Sequence, residues 1–213
     1  MSGLKGHILV ADDERNIRKN LALVLEAAEY GVDEARDGDE ALAFCKENHP
    51  DIAFVDLNMP KVKGLEVLAQ IRTLSPKTAV VIITAYGSAA NAVDAMKLGA
   101  VDFIEKPLDP KLIGILADEI LLRNRIGPGG SYDDLMHLAQ LAEDRNARLE
   151  TRAYLKAAIA RTVHRPEPYY RLGSLSEEEQ DMRRAVQYYY MALSADHTYT
   201  PAADALKRLG KIH

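Results

Sequence analysis

The chain has 213 residues, 47% of them hydrophobic and 28% charged, and a formal net charge of -5. Its length allows one large domain or a standard domain with a smaller one. Residues 1–130 have 15 basic and 20 acidic residues, and residues 131–213 have 12 of each, so neither part has the basic excess of a nucleic-acid binder. No apolar run has the length of a bilayer span or signal peptide, and Cys45 is the only cysteine. We therefore expect a cytoplasmic protein without an internal disulfide and without membrane or nucleic-acid partners.

The first 125 residues alternate five times between a short apolar run and a segment with apolar residues at helical spacing. The predicted strands are His7–Ala11, Val32–Ala35, the run that ends at Asp56, Thr78–Thr84 and Val101–Glu105. The predicted helices begin at Glu14, Asp39, Leu65, Ser88 and Asp109. This alternation predicts an α/β domain with a five-stranded, doubly wound parallel sheet that is covered by helices on both faces.

The remainder of the chain is predicted to be all α. The Gly/Pro-dense segment 126–131 is interpreted as a linker, and residues 132–213 as a small helical domain. The predicted helices are Tyr132–Asn146, Ala147–Val163, Glu167–Leu175, Glu178–Ser194 and Pro201–Leu209. A period of 34 residues aligns small and apolar positions of successive helix pairs, for example Leu138 with Leu172 and Leu206. The pattern indicates a helical repeat.

Five polar residues lie at or just past the carboxyl ends of predicted strands: Asp12, Asp13, Asp56, Thr84 and Lys106. Taken singly, each has an ordinary structural interpretation, such as a helix cap, a turn residue or a solvated lysine. Parallel strands bring all five to one rim of the sheet, and that coincidence favours a site. Three crowded carboxylates repel one another unless a cation joins them, and oxygen ligands of this kind suit Mg²⁺, or Mn²⁺ in its place.

The chemistry that this set predicts is nucleophilic attack by the Asp56 carboxylate on a phosphoryl group. The metal ion would hold the phosphoryl oxygens in line with the nucleophile. Lys106 would place a positive charge on another phosphoryl oxygen. The hydroxyl of Thr84 would bind phosphate and thereby move its own loop and the helix that follows.

Residues 6–125 resemble the receiver domain of bacterial two-component response regulators, most closely those of the nitrogen-regulation class. The resemblance rests on five motifs, which are Ile8-Leu9-Val10-Ala11-Asp12-Asp13-Glu14, Asp56-Leu57-Asn58-Met59-Pro60, Thr84-Ala85-Tyr86-Gly87, Gly99-Ala100 and Lys106-Pro107. It implies a flavodoxin-like fold and Mg²⁺ held by Asp12, Asp13, Asp56 and the backbone carbonyl of Asn58. It also implies a phosphohistidine donor on a sensor kinase.

The same resemblance assigns further roles. Phe103 takes the position of the switch aromatic, and the peptide bond between Lys106 and Pro107 is expected to be cis. Tyr86 and Asn58 lie where family members tune dephosphorylation. The protein would then be a phosphoacceptor that catalyses only its own phosphotransfer and dephosphorylation.

Residues 132–213 resemble tetratricopeptide-type repeats, and no Gly-x-x-x-x-Gly-Lys-Ser/Thr loop of an ATPase is present. We therefore expect a phosphorylation switch whose helical part binds another protein, with dimerisation or the uncovering of a groove as the readout. Two alternatives stay open. One is a DNA-binding transcriptional regulator with an unrecognised helix-turn-helix. The other is a phosphohydrolase of the haloacid-dehalogenase type, although Asn58 stands where such an enzyme has its second acid.

Overall fold

A computed structural model describes residues 4–85 and 87–212, and Tyr86 therefore lies outside the described residues. The chain divides into two compact units, Met1–Leu121 and Leu122–His213. No helix among the described residues is long and apolar enough to cross a bilayer.

The first unit contains a five-stranded parallel sheet in the order β2-β1-β3-β4-β5. Its strands are β1 (His7–Ala11), β2 (Gly31–Ala35), β3 (Ile52–Asp56), β4 (Ala79–Thr84) and β5 (Asp102–Glu105). Every residue of β3 and β4 is buried, because helices cover both faces of the sheet. This strand order is that of the flavodoxin-like, doubly wound fold, and the predicted fold class is confirmed.

Five helices cover the two faces of this sheet. They are α1 (Arg15–Ala27), α2 (Gly38–Asn48), α3 (Gly64–Leu74), α4 (Ala89–Lys97) and α5 (Pro110–Ile126). Helices α1 and α5 pack with Ile8, Val10 and Phe54 on one face. Helices α2, α3 and α4 pack with alternate strand residues, such as Leu9 and Val55, on the other face. Successive side chains of each strand point to opposite faces of the sheet, and the core is therefore divided into two layers.

The second unit contains successive helices, each of which packs on its neighbours along the chain. They are α6 (Tyr132–Asp144), α7 (Arg148–Arg161), α8 (Glu167–Glu178), α9 (Met182–Ala195) and α10 (Thr200–Arg208). Leu138, Leu172 and Leu206, which the 34-residue period aligns, are each buried, in three separate clusters along the unit. Gly173 of α8 lies against the ring of Tyr189, where an added Cβ would come within 2.5 Å of Cε1. A small residue at this position therefore allows α8 and α9 to approach closely.

Two boundaries in the second unit differ from expectation. The predicted start of a helix at Glu178 is wrong, because Glu178 is the last residue of α8. Gln180 has a positive φ of 63° and reverses the chain, and the carboxylate of Asp181 then caps α9 by accepting from the backbone N–H of Arg184. The second boundary is that of the segment 126–131, which is predicted to be a linker. It begins with the last residue of α5 and includes a 3-10 turn at Gly127–Gly129.

Candidate functional site

The polar residues predicted to share one rim lie at the carboxyl edge of the sheet. Asp12 follows β1, Asp56 ends β3, Thr84 ends β4 and Lys106 follows β5. β3 lies between β1 and β4, and β5 pairs with β4, so four of the strands end at the same edge. Residues separated by up to 94 positions in the sequence are thereby neighbours.

Lys106 is the central cation of this rim. Its Nζ lies 2.7 Å from Oδ2 of Asp12 and 2.9 Å from Oδ1 of Asp56, and Oε1 of Glu14 is 3.4 Å away. The lysine side chain is 8% exposed, and the carboxylates of Asp12 and Asp56 are also buried. The peptide bond between Lys106 and Pro107 is cis, as expected. One ammonium group therefore separates two buried carboxylates that would otherwise repel each other.

Burial and charge pairing act in opposite directions on this cluster. Burial alone would lower the pKa of Lys106, but hydrogen bonds to Asp12 and Asp56 outweigh it, and the pKa is raised. For Asp12 the balance is reversed. Burial raises its pKa, and the hydrogen bonds from Lys106 and from the backbone of Glu14 offset only part of this effect. Lys106 is therefore firmly protonated, whereas ionised Asp12 is destabilised by its surroundings.

The backbone around Asp56 is tightly fixed. Its Oδ2 accepts a hydrogen bond of 2.7 Å from the backbone N–H of Asn58. The N–H of Leu57 donates to the carbonyl of Ile83 at 2.9 Å, which ties the end of β3 to β4. A Cβ on Gly64 would collide with the backbone oxygen of Asp56, so α3 begins directly against the loop. The carboxylate is held at the strand end with its Oδ1 directed to Lys106.

The remaining predicted residues differ in their exposure. The side chains of Asp13 and Asn58 are exposed beside the buried pair. Thr84 is fully buried, and its backbone carbonyl accepts from the N–H of Lys106 at 2.8 Å. Phe103 is half-buried and packs against the core layer formed by α2, α3 and α4.

Two contacts at this rim were not predicted from the sequence. The side chain of Glu14 approaches Lys106, and the guanidinium of Arg18 donates to the backbone carbonyls of Asp12 and Asp13. The signal for Arg18 is its position in the first turn of α1, the helix that follows the acidic pair. A positive side chain there faces back toward its own preceding loop.

The oxygen donors at this rim fit Mg²⁺ or Mn²⁺ by their chemistry. Oδ2 of Asp12 is buried and pairs with Nζ of Lys106 at 2.7 Å. An ionised carboxylate has more lone pairs than this single contact uses, so Asp12 can also bind a cation. Among residues 4–85 and 87–212, no three acidic, histidine or cysteine side chains are close enough together to form a metal site. Binding of a metal by Asp12, Asp13, Asp56 and the carbonyl of Asn58 stays a prediction.

Comparison with known proteins identifies the first unit. Residues 8–116 match the response regulator receiver domain. The transcriptional regulatory protein FixJ of Rhizobium meliloti is 34% identical over 156 residues, which are 71% of this chain and 72% of FixJ. A receiver domain structure from Clostridium thermocellum aligns with a TM-score of 0.54 and 34% identity, covering 56% of this chain and 97% of that one. The chain belongs to the response regulator receiver family.

The similarity to individual relatives is confined to part of their length. The transcriptional regulatory protein ResD of Bacillus subtilis is 42% identical over 116 residues, which are 54% of this chain and 48% of ResD. The chain thus spans about half the length of this relative. The family model matches residues 8–116, whereas the 156 residues aligned with FixJ extend beyond the first unit.

The raised pKa of Asp12 leads to a prediction about stability. Because the folded pKa lies above that of an unfolded carboxyl, ionised Asp12 lowers the free energy of unfolding at any pH above the unfolded pKa. We expect Asp12→Asn to raise that free energy by on the order of 1 kcal/mol near neutral pH in metal-free buffer. The gain should vanish below the unfolded pKa, where Asp12 is protonated in both states. Urea unfolding followed by circular dichroism at several pH values measures this.

The exposed neighbour supplies the control for this experiment. Asp13→Asn changes the same charge one residue away and should leave the free energy of unfolding within about 0.5 kcal/mol of the wild type. A lower stability of Asp12→Asn at neutral pH would show that pairing with Lys106 outweighs burial.

Proposed function

We propose that this protein is a phosphorylation-controlled switch in which Asp56 accepts a phosphoryl group from a sensor histidine kinase. The observation that carries the proposal is the buried contact of Lys106 with Asp56 and Asp12 at the rim of the sheet. An oxygen of Asp56 attacks phosphorus while the bond from phosphorus to the donor imidazole nitrogen breaks. The imidazole leaves with the electron pair and takes up a proton. The product is an acyl phosphate.

Each residue at the rim has a defined part in this reaction. Lys106, already within hydrogen-bond distance of Asp56, binds an oxygen of the incoming group and stabilises its charge. Asp12, Asp13 and the carbonyl of Asn58 would hold Mg²⁺ together with Asp56, and the bound metal neutralises phosphoryl charge. Thr84 binds the transferred group, and Phe103 rearranges in response. The protein changes no separate substrate.

The central test is phosphorylation by a small-molecule donor. With acetyl phosphate and Mg²⁺ we expect stoichiometric labelling of the wild type and loss of labelling in Asp56→Asn, because an amide is not a nucleophile here. Intact-protein mass spectrometry measures the added phosphoryl group. Asp51→Asn is the control, because Asp51 precedes the same strand β3 at its opposite end. Labelling of Asp56→Asn equal to that of the wild type would refute the proposal.

The surface beside the rim suits a protein donor. An apolar groove of about 380 Å³ lies between α1 and the segment from Lys106 to Pro110. Leu23 and Val24 of α1 and Leu108 line it, and Lys106 belongs to both the groove and the site. A donor whose phosphohistidine reaches Asp56 must approach this rim. We assign the groove to the sensor kinase because it is continuous with the reacting groups.

A substitution in the groove should slow phosphotransfer from a sensor kinase without affecting phosphorylation by acetyl phosphate. Leu23 is 64% exposed, so Leu23→Arg should leave the fold intact. We expect the transfer rate from a kinase that phosphorylates the wild type to fall about tenfold, the effect of a contact worth ~1.4 kcal/mol. Labelling by acetyl phosphate should not change. Met96→Arg, at a half-exposed position of α4 outside the groove, is the matched control, and equal kinase rates for the two variants would contradict the assignment.

The output of the switch is assigned to residues 122–213, as a tetratricopeptide-like protein-binding unit. Three observations support this proposal. The aligned leucines Leu138, Leu172 and Leu206 are buried, small Gly173 packs against Tyr189, and residues 131–213 have no net charge. A polar groove of about 310 Å³ lies among α6, α7 and α8, where Arg171 is paired with Glu143. Such a groove is a binding surface of helical repeats.

A DNA-binding regulator is the second candidate, because ResD and FixJ are transcriptional regulatory proteins. The balanced charge of residues 131–213 opposes it. A phosphohydrolase is a weaker alternative, since the amide of Asn58 is not acidic and cannot protonate a leaving group. Turnover of a small phosphate ester would favour that enzyme.

A binding experiment with the intact chain discriminates between these outputs. Beryllofluoride and Mg²⁺ are added to mimic the phosphorylated state. We expect protein capture that depends on beryllofluoride and is lost in Asp56→Asn and in Arg148→Glu, which reverses a charge lining the groove. Arg183→Glu, an exposed residue of α9 outside the groove, is the matched control. Beryllofluoride-dependent retardation of DNA at low salt, without protein capture, would favour the regulator instead.

A further inference from the structure

Arg18 contacts the backbone of both acidic residues that follow β1. Its Nη1 lies 2.7 Å from the carbonyl oxygen of Asp12 and 3.1 Å from that of Asp13. The side chain is 12% exposed. These contacts satisfy two carbonyls of the loop and leave the carboxylate oxygens of the two acids untouched. Arg18 therefore acts on the position of the acidic pair and does not compete for its charge.

The guanidinium is itself anchored at its other edge. Nε of Arg18 lies 3.3 Å from Oε2 of Glu34 on β2, and Nζ of Lys19 lies 2.6 Å from Oε1 of the same carboxylate. The hydrogen bond from Lys19 is the main cause that lowers the pKa of Glu34, with a further contribution from Arg18. Glu34 stands beside Val10 in the register of β1 and β2. Arg18 thus joins α1, the loop after β1 and the neighbouring strand.

We propose that Arg18 is a positioning residue for the divalent cation that the acidic pair binds. Its planar guanidinium contacts the backbone of Asp12 and Asp13 with one nitrogen and Glu34 with another. These contacts fix the loop after β1 before the cation binds. A lysine has the same charge but a single nitrogen, and cannot hold both ends. Outer contacts of this kind change metal affinity without touching the metal. The inference rests on the proposed function.

The competing explanation is a purely structural ion pair between α1 and β2. Lys19 provides the matched control, because it pairs with the same Glu34 and contacts neither carbonyl of the acidic pair. A role in stability alone would make Arg18→Lys nearly silent, since the charge beside Glu34 is kept. A positioning role makes Arg18→Lys harmful and Lys19→Met harmless to cation binding.

The experiment measures the melting temperature of the full chain in EDTA and in a series of Mg²⁺ concentrations. Binding to the folded state raises the melting temperature, and the concentration that gives half of the rise reports the affinity. For Arg18→Lys we expect a midpoint about tenfold higher than that of the wild type. For Lys19→Met we expect an unchanged midpoint. Glu34→Gln, which loosens the anchor but keeps Arg18, should shift the midpoint in the same direction by a smaller factor.

The outcomes separate this proposal from the function on which it rests. A lower melting temperature in EDTA with an unchanged Mg²⁺ midpoint in Arg18→Lys would assign Arg18 to stability and overturn the proposal alone. A midpoint shift of equal size in Lys19→Met would also overturn it, since any loss of charge near Glu34 would then suffice. Absence of an Mg²⁺ effect in the wild type would overturn both the metal-dependent phosphorylation and the role of Arg18.

Discussion

The structure of the rim depends on one ammonium group placed between two buried carboxylates. Asp12 follows β1 and Asp56 ends the neighbouring β3, and without Lys106 their like charges would oppose the packing of those strand ends. Lys106 resolves this conflict from the end of β5, two strands away from β3 in the sheet. In the proposed reaction the same arrangement suits an anion, because the phosphoryl group would meet a lysine that is already desolvated and held in place.

The parallel sheet is what makes this arrangement possible. Each strand delivers its carboxyl end to one edge, and each crossover returns the chain to the opposite edge. The burial of β3 on both faces leaves Asp56 only one direction in which to meet polar partners. The close approach of Gly64 to the Asp56 backbone then fixes the start of α3 against that strand end. The fold thus converts distant positions in the sequence into a site whose parts are held by separate elements.

The strands of the sheet and the positions of the rim residues could be predicted from the sequence, because both follow from local patterns. Apolar runs identify the strands, and an acid or a lysine directly after a run is carried to the edge by the topology. Arg18 was missed because its partners are backbone carbonyls, and its place in the first turn of α1 is the only sequence signal for these contacts. The start of α9 was misplaced because Glu178 suits a first helical turn, whereas the backbone reversal at Gln180 is imposed by the packing of α8 on α9. Such errors arise where the tertiary structure overrides local preference.

Lys106 belongs both to the apolar groove beside α1 and to the carboxylate cluster at the rim. Whatever fills the groove removes water from the lysine and strengthens its attraction for negative charge. By reciprocity, whatever changes the charge facing the lysine also changes the affinity of the groove. In the proposed reaction the donor and the acceptor are therefore energetically linked through a single side chain. Transfer of the phosphoryl group changes the charge that faces Lys106, and Lys106 lines the groove that binds the donor. The completed reaction therefore changes the affinity of the groove for the donor.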